Sequence, residues 1–594
     1  MTQSSIAIPL RACMVAAMLA ASASPAFAAN YTWKTLSGTG NWTASTNWSG
    51  TSATNLYPGS VGSGTADGAF IQAVYTSAPT INLDASVQVR QLNLGGTTGA
   101  TTFPVTVSTN NGSVLTLSQT TTTGTAVIAV NSAVNSGTNL LAPDILMLTT
   151  VEARMASVTS GTVNLAIAGN VSAGNAGTRL FRYTPNNTST TTDPSLLEFR
   201  GNITDGTSGG IVQIFQRNDM PNSVNTMKLS GTGNTFSGGF TFSGGKPGQA
   251  ILESSPASGT NGALGTGLLT LGASGSSAVL NLGGSLSTVT EVCRISVAGT
   301  VAKRIAVVGA GSRILSGTVS QNASAGLTLA CSNAGDLTFS NALTGTGPIT
   351  VNSSGSGKVI FSGSGSTYSG ATTVQAGALR LASGSPLGTS TITPVVGGTL
   401  SLQPYAQTTV GGLAPNAGGL TDVGSGYMTV SSGLTAVDMV TALVTGLGDG
   451  SWNGTSGITS STAAASGGDR TVGWLDNGDG TVTFAFAAAG DTNLDWQVDI
   501  LDASNFLAGG KFDSGTPATW NEGDFTYDGF VDILDAASFL SAGLFDAGFY
   551  NPPPGAAGAV AAVPEPTALW AIGLAVGAIL VRRRRISGGG RESV

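Results

Sequence analysis

Two stretches of the chain read almost alike: Leu229-Ser-Gly-Thr-Gly-Asn-Thr-Phe236-Ser-Gly238 and Phe361-Ser-Gly-Ser-Gly-Ser-Thr-Tyr368-Ser-Gly370. Each is followed by a β-prone segment and then a Leu-Gly turn, at Ala263-Leu264-Gly265 and at Pro386-Leu387-Gly388. A half-copy, Leu337-Thr-Phe-Ser-Asn with Thr344-Gly-Thr-Gly347, lies between them. A unit this thin cannot bury a core alone, so the repeat predicts stacked rungs that close one another's apolar faces. From Tyr31 to about Phe486, short Val, Thr, Leu, Ile and Phe segments stop at Ser-Gly, Asn-Gly and Gly-Gly turns; Val105-Thr-Val107, Val114-Leu-Thr-Leu117 and Ala126-Val-Ile-Ala-Val130 are examples. That punctuation reads as strands. Long helical patterns are absent, so the region is nearly all β: a solenoid, with an array of β-sandwiches as the alternative.

Composition agrees with a folded, low-charge chain. Charged residues are 9% of the 594, against roughly 25% in ordinary globular proteins. Gly 86 and Pro 22 give 108 residues, about 18%, short of the roughly 25–30% that marks low-complexity disorder. Hydrophobic residues reach 41%, whereas a disordered chain is charged and poorly hydrophobic. The net charge of −7 is local: between Asp491 and Asp535, nine Asp and one Glu face one Lys, which is −9 and leaves about +2 elsewhere. No long basic stripe appears outside the C-terminal tail, so nucleic acid is not an expected partner. There is no histidine, which removes Ser-His-Asp and Cys-His catalysis and His-ligated zinc. Cys293 and Cys331 remain once Cys13 is set aside in an expected leader; a bridge and two buried thiols are both open.

The pattern of Phe-Ser-Gly, an aromatic, Ser-Gly, a strand and Leu-Gly resembles the autotransporter-associated β-strand repeat. The opening residues, Trp33, Gly40-Asn41-Trp42 and Asn47-Trp48, resemble the start of large proteins of that kind. The resemblance implies an elongated, right-handed parallel β-helix passenger at the cell surface.

A second repeat, Asp491 to Asp502 and again Asp524 to Asp535, carries the acidic charge. Asp491, Asn493, Asp495, Asp499 and Asp502 place side-chain oxygens at positions 1, 3, 5, 9 and 12, as do Asp524, Thr526, Asp528, Asp532 and Asp535. That is the spacing of a 12-residue calcium loop, in which position 7, here Gln497 and Phe530, offers its backbone carbonyl. Clustered carboxylates repel one another unless a cation sits among them, so two structural Ca2+ sites are expected. Helix-capping loops without metal are the alternative. Ile500, Ala503, Ser504 and Leu507, repeated as Ile533, Ala536, Ala537 and Leu540, form the i, i+3, i+4, i+7 face of a short helix. The two helices are expected to pack on these faces. Asp at position 12, followed directly by a helix, resembles a type I dockerin, which implies a cohesin-like partner; an intramolecular role is equally open. Trp496 stands where position 6 prefers glycine, and Thr526 is a weak ligand. Binding is therefore expected in the ~10⁻⁴–10⁻³ M range of extracellular modules.

The two ends set an address. Arg11, an apolar run from Ala12 to Ala21 and Ala26-Phe27-Ala28 make a secretory leader cut after Ala28. At the other end stand Pro564-Glu565-Pro566, an uncharged run from Ala568 to Val581, and Arg582, Arg583, Arg584 and Arg585. At ~1.5 Å per residue the run is a short transmembrane helix, and the arginines place its end in the cytoplasm. This tail resembles the PEP-CTERM sorting signal, which implies an exosortase-type protease as partner and surface attachment or release. The expected order is a leader at 1–28, a β-solenoid at 29–487, a dockerin-like module at 488–547, a linker at 548–563 and the sorting signal at 564–594.

The expected role is non-enzymatic: a cell-surface or extracellular structural or adhesin-like protein, with a cohesin-like protein or an extracellular polysaccharide as candidate partner. A polysaccharide-active enzyme would need acids converging across rungs, whereas Asp67, Asp84, Asp144, Glu152, Asp193, Glu198, Asp205, Asp219, Glu253, Glu291 and Asp336 are mostly scattered singly. Asp476-Asn-Gly-Asp-Gly480 reads as a tight turn. Trp33, Trp42 and Trp48 are assigned to core or capping in preference to sugar stacking.

Overall fold

The computed structural model describes residues 29–552 except 36, 51–55, 61–66, 74, 97–102, 120–123, 132–136, 157–162, 187–194, 218–223, 244–248, 257, 260 and 273–276. The chain forms two compact units: one runs to Ser401 with Thr408–Thr421 and Val430–Leu434, the other takes Leu402–Gln407, Asp422–Thr429 and the described residues from Thr435 on.

The first unit is mostly parallel β. Lys303–Val307 pairs with Leu327–Cys331, putting Ile305 opposite Leu329; that strand pairs with Ile349–Asn352, putting Leu329 opposite Val351. Each step from one partner to the next is one circuit of the chain. Upstream circuits are longer, with Val151 opposite Phe181 and Phe181 opposite Ile214. Long parallel sheets built this way are consistent with the expected solenoid. Period-2 alternation turns every second residue inward, and the register stacks like on like. Leu315, Phe339, Phe361 and Leu381 follow one another on consecutive circuits, all buried. The rings of Phe339 and Phe361 stack with centroids 4.6 Å apart.

The corners use two devices. Asp144 Oδ1 accepts from Asn170 N at 2.7 Å, Asn170 Oδ1 from Asn202 N at 2.9 Å, and Asn202 Oδ1 from Gly233 N at 2.8 Å. This side-chain ladder satisfies amides that leave the strand ladder at the turn. At a second corner Gly311, Gly335 and Gly357 stack so closely that a Cβ on Gly335 would stand 2.2 Å from Gly311 O. The repeat also has a spatial meaning. Thr266 N donates to Phe236 O at 3.1 Å and Thr389 N to Tyr368 O at 2.9 Å, so each Leu-Gly turn lands on the aromatic corner that precedes it in the chain. Gly265 and Gly388, at φ of 71° and 54°, sit directly on those corners, where no side chain fits.

Trp33, Trp42 and Trp48 are buried and meet edge to face at 4.9 Å, so they are core and not platforms for sugars. Cys293 and Cys331 are free, buried thiols; burial pushes Cys331 up to about 11.

The second unit departs from the expected all-β reading. Helix α1, Ala436–Leu447, is capped by Thr435 and buries Met439, Ala442, Leu443 and Gly446, the i, i+3, i+4, i+7 face. Its β-branched Val437, Val440, Thr441, Val444 and Thr445 mimic a strand locally. Helix α2, Ser461–Ala465, follows, then an antiparallel hairpin of Thr471–Asp476 with Val482–Ala487, whose connection holds the Asp476–Gly480 turn. These two helices and the antiparallel hairpin are the elements that the expected all-β, parallel reading of the stretch up to 487 did not contain. Among the described residues no helix is long and apolar enough to cross a membrane. The apolar run Ala568–Val581 lies outside the described residues.

Candidate metal centre

Each expected calcium loop runs into a helix: α3, Ile500–Ala508, and α4, Ile533–Ser541. Position 9 caps the helix and position 12 is its third residue. Asp499 Oδ1 accepts from Leu501 N at 2.7 Å while Asp502 Oδ2 accepts from Asp499 N at 2.9 Å. Asp532 and Asp535 repeat this with Leu534 N and Asp532 N at 2.7 and 2.9 Å. The spacing 9 to 12 is thus also a capping box. The remaining oxygen of position 12 turns back to the loop start: Asp502 Oδ1 accepts from Thr492 N and Oγ1, both at 2.8 Å, and Asp535 Oδ1 from Phe525 N at 2.8 Å and Thr526 N at 3.0 Å.

Position 1 is buried in both loops. Asp491 accepts from Asp495 N at 3.3 Å, Trp496 N at 3.0 Å and the Tyr550 hydroxyl at 2.5 Å. Burial pushes its carboxyl up to about 7, with Asp502 and Asp495 adding repulsion against the Tyr550 hydrogen bond. Asp524, 3% exposed, accepts from Gly529 N at 3.0 Å on Oδ2, and burial pushes it up to about 6. Its Oδ1 is buried with no partner, as is Thr526 Oγ1 two residues on. Position 5 turns onto its own loop, Asp495 Oδ1 to Gln497 N and Asp528 Oδ1 to Phe530 N, both at 2.9 Å. Asn493, at position 3, meets Asp495 on both its nitrogen and its oxygen.

Positions 4 and 6 are left-handed in both loops: Leu494 and Trp496 at φ of 60° and 67°, Tyr527 and Gly529 at 66° and 86°. Trp496 holds a conformation that favours glycine because its indole nitrogen is anchored on Phe486 O at 2.9 Å. The departure at position 6 therefore leaves the loop's turn intact. Thr526 also lines a cleft of about 370 Å³ with Trp452, Arg470, Tyr527 and Ser538.

The helix faces are the reverse of the expected ones. Leu507 and Leu540 are each 75% exposed, and Ile500, Leu501, Ile533 and Leu534 are exposed with them. The helices instead meet through Phe506 and Phe539, whose rings stack with each other and with Phe525. Position 12, Asp502 or Asp535, is the residue turned fully inward, and the Ile and Leu stripe falls on the exposed side of each helix.

The segments leaving the helices cross over. Phe512, after α3, bridges Val531 of loop 2, and Asp513 N donates to Val531 O at 2.9 Å. Phe545, after α4, bridges Val498 of loop 1, and Asp546 N donates to Val498 O at 2.8 Å. Both pairs join equivalent positions of the sequence repeat, so the two halves exchange straps. Tyr550 ends the second strap with its hydroxyl on Asp491. It escapes the sequence reading because the equivalent position of the first half is Pro517, which carries no matching signal. Trp520, whose indole nitrogen donates to Asp491 O at 2.7 Å, escapes for a similar reason.

The donor set is all oxygen, and the orphaned Asp524 Oδ1 and Thr526 Oγ1 are what a hard cation would satisfy. Loop 2 fits an ion on that observation, and loop 1 shares its backbone. Among the described residues no group of three or more Asp, Glu, His or Cys side chains stands drawn together as a cage. The loop carboxylates turn onto their own amides, and a carboxylate keeps lone pairs beyond those bonds. Elsewhere, Glu152 pairs with Arg154 at 2.6 Å, Glu198 with Arg200 at 2.8 Å, and Asp205 accepts from Val212 N and Ser237 N. Ala26, Ala28, Pro564, Glu565, Pro566 and Arg582 to Arg585 lie outside the described residues.

A family model described as passenger-associated-transport-repeat matches residues 225–246 and 354–381. Two stretches are similar to autotransporter-associated β-strand repeats. They contain the two aromatic corners, Phe236 and Tyr368, on which the Leu-Gly turns land, so the autotransporter-type repeat corresponds to a contact between stacked segments of the parallel β-region. Comparison with curated proteins and with solved structures gives no match. Passenger repeats are consistent with a surface or secreted protein.

Proposed function

We propose that the chain is a non-enzymatic, exported structural or adhesin-like protein. Its β-region is a passenger-type, right-handed solenoid, the hand that parallel crossovers overwhelmingly take. The observation that carries this reading is the pair of matched repeats, each presenting an aromatic corner to a later circuit. Ala26-Phe27-Ala28 directs export, and the Pro564-Glu565-Pro566 tail with its arginines is a PEP-CTERM-like signal for an exosortase-type protease and the membrane. Asp491, Asn493, Asp495, Asp499 and Asp502, with Asp524, Thr526, Asp528, Asp532 and Asp535, hold one Ca2+ per loop, joined by the carbonyls of Gln497 and Phe530. The ion supplies positive charge that relieves repulsion among buried carboxylates; its role is structural.

Two measurements test this. Protease shaving of intact cells expressing the full chain should remove the β-region, and deletion of residues 564–594 should release or mislocalise the protein; a protected, cytoplasmic chain would overturn the address. Calorimetry on the exported chain should find weak calcium binding at two coupled sites, diminished at both by Asp524→Ala. No heat of binding would reduce the loops to helix caps.

A second reading has its own observation. The matched exposed stripes of Ile500, Leu501 and Leu507 and of Ile533, Leu534 and Leu540 offer two like faces to a cohesin-like partner. Capture by a purified cohesin that is abolished by Leu507→Asp with Leu540→Asp would favour docking.

A further inference from the structure

The export reading frees one particular nitrogen, and the fold presents a buried carboxylate to it. Ala29, the residue after the expected cut, is 5% exposed, and its backbone nitrogen donates to Asp67 Oδ1 at 2.9 Å. Asp67 opens the strand Asp67–Ile71 and is 2% exposed. Its Oδ2 accepts from Gly59 N at 3.0 Å. Among the described residues no lysine or arginine pairs with it. Arg90 donates instead to Asn30 Oδ1 at 2.7 Å. Ala29 is fixed on its other side too, since its carbonyl accepts from Gly68 N at 2.8 Å. The next residue begins the strand Asn30–Trp33, parallel to Asp67–Ile71 with Asn30 opposite Gly68.

Among the described residues this buried carboxylate is held by two neutral amides, and a buried charge without a counter-charge is costly. While the leader is attached, the Ala29 nitrogen brings one N–H and no charge. Hydrolysis of the Ala28–Ala29 peptide bond gives the water's oxygen to the Ala28 carboxylate. The Ala29 nitrogen gains a hydrogen and, at neutral pH, a further proton, so it becomes an ammonium with three donors.

We propose that Asp67 is the receptor for the mature α-ammonium of Ala29, so that leader removal converts a neutral hydrogen bond into a buried ion pair fastening the first strand. The inference rests on the export reading, and specifically on cleavage behind Ala28. Two separate observations meet in it: a cleavage motif read in the sequence, and a carboxylate aimed at the one nitrogen that this cut would release. A cut one residue either way would free a different nitrogen from the one whose hydrogen bond Asp67 accepts. The pairing gives the fold a check on its own processing, since only the correctly cut chain completes its N-terminal edge.

The test uses the full exported chain. Intact mass and N-terminal sequencing come first: a start other than Ala29 refutes the cleavage register on its own and is distinguishable from failure of the pairing. With Ala29 confirmed, the chain is labelled near pH 7 with an amine-selective reagent. An opposite charge raises the amine's pKa above its ordinary ~7.7–8.0, and each unit cuts the reactive free base about tenfold. The native α-amine should therefore label at least ~10-fold more slowly than the denatured one, and Asp67→Asn should recover most of that rate. In parallel, Asp67→Asn should lower the melting midpoint of the Ala29-start chain by more than that of a chain carrying a Gly-Ser extension. Equal labelling rates in the native and denatured wild type, a measurement needing no variant, would overturn the proposal. So would equal midpoint losses with and without the free amine, which would leave Asp67 as an acceptor of backbone hydrogen bonds only.

Discussion

Replacing Gly335 by alanine adds a Cβ 2.2 Å from Gly311 O and 2.7 Å from Gly311 C, both backbone atoms of the preceding circuit. Ordinary contact begins at about 3.4 Å, so the circuits must part locally by more than an ångström. The neighbouring bonds are Arg313 N to Asp336 O at 2.7 Å and Asp336 N to Ser312 Oγ at 3.1 Å. Stretched by that amount, even the shorter would pass well beyond the ~3.2 Å limit of an N–H···O bond. Overpacking costs about 1–3 kcal/mol, and one or two weakened buried hydrogen bonds add about 1 kcal/mol each. The expected loss is thus about 2–5 kcal/mol, read by guanidinium unfolding followed by circular dichroism. Hydrogen exchange should rise first in the circuits around Gly311 and Gly357. The control is Gly365, at φ of 73° with open space around it. Asparagine tolerates that backbone, so Gly365→Asn should cost under about 1 kcal/mol. If Gly335→Ala is no more damaging than Gly365→Asn, close approach is not what glycine supplies at this corner.

Two further outcomes follow from buried polar groups. Glu291 is buried beside Ser254 and accepts from Leu264 N at 3.1 Å; burial raises its carboxyl above the usual range, with Arg313 opposing. Stability from its neutral form is fully present below the unfolded carboxylate value and is lost as pH rises through the folded one. The melting midpoint of Glu291→Gln should therefore gain on wild type between pH 5 and 8, and a gap that narrows would refute the sign. Tyr368 donates to Gly347 O at 2.8 Å, with Ala371 O at 3.1 Å, so Tyr368→Phe should cost about 1–2 kcal/mol in chemical denaturation. The reciprocal Phe236→Tyr should gain nothing.

The strand-and-turn rhythm, the repeat and the inward alternation were legible because each is a local pattern with period 2 or a fixed glycine. The duplication of the two Asp-rich loops, each running into a helix, was legible from spacing alone. Helix α1 was not: five β-branched residues hide an i, i+3, i+4, i+7 face that only Thr435 and burial reveal. The outward Ile and Leu stripes were misread because an amphipathic pattern says which residues share a face, not which face the capping aspartates turn inward. Tyr550 and Trp520 approach Asp491 from 59 and 29 residues away, a distance no motif encodes.

The exchanged straps have a thermodynamic corollary. The segment leaving each helix is pinned to position 8 of the opposite loop, Val531 or Val498. With the proposed ions, ordering one loop would prepare the bed of the other, and the first to enter would bear most of the ordering entropy for both. Two sites so joined would be linked, each raising the other's affinity by the same factor. A titration should then read as one steep transition rather than two shallow ones, and a lesion in either loop should blunt both.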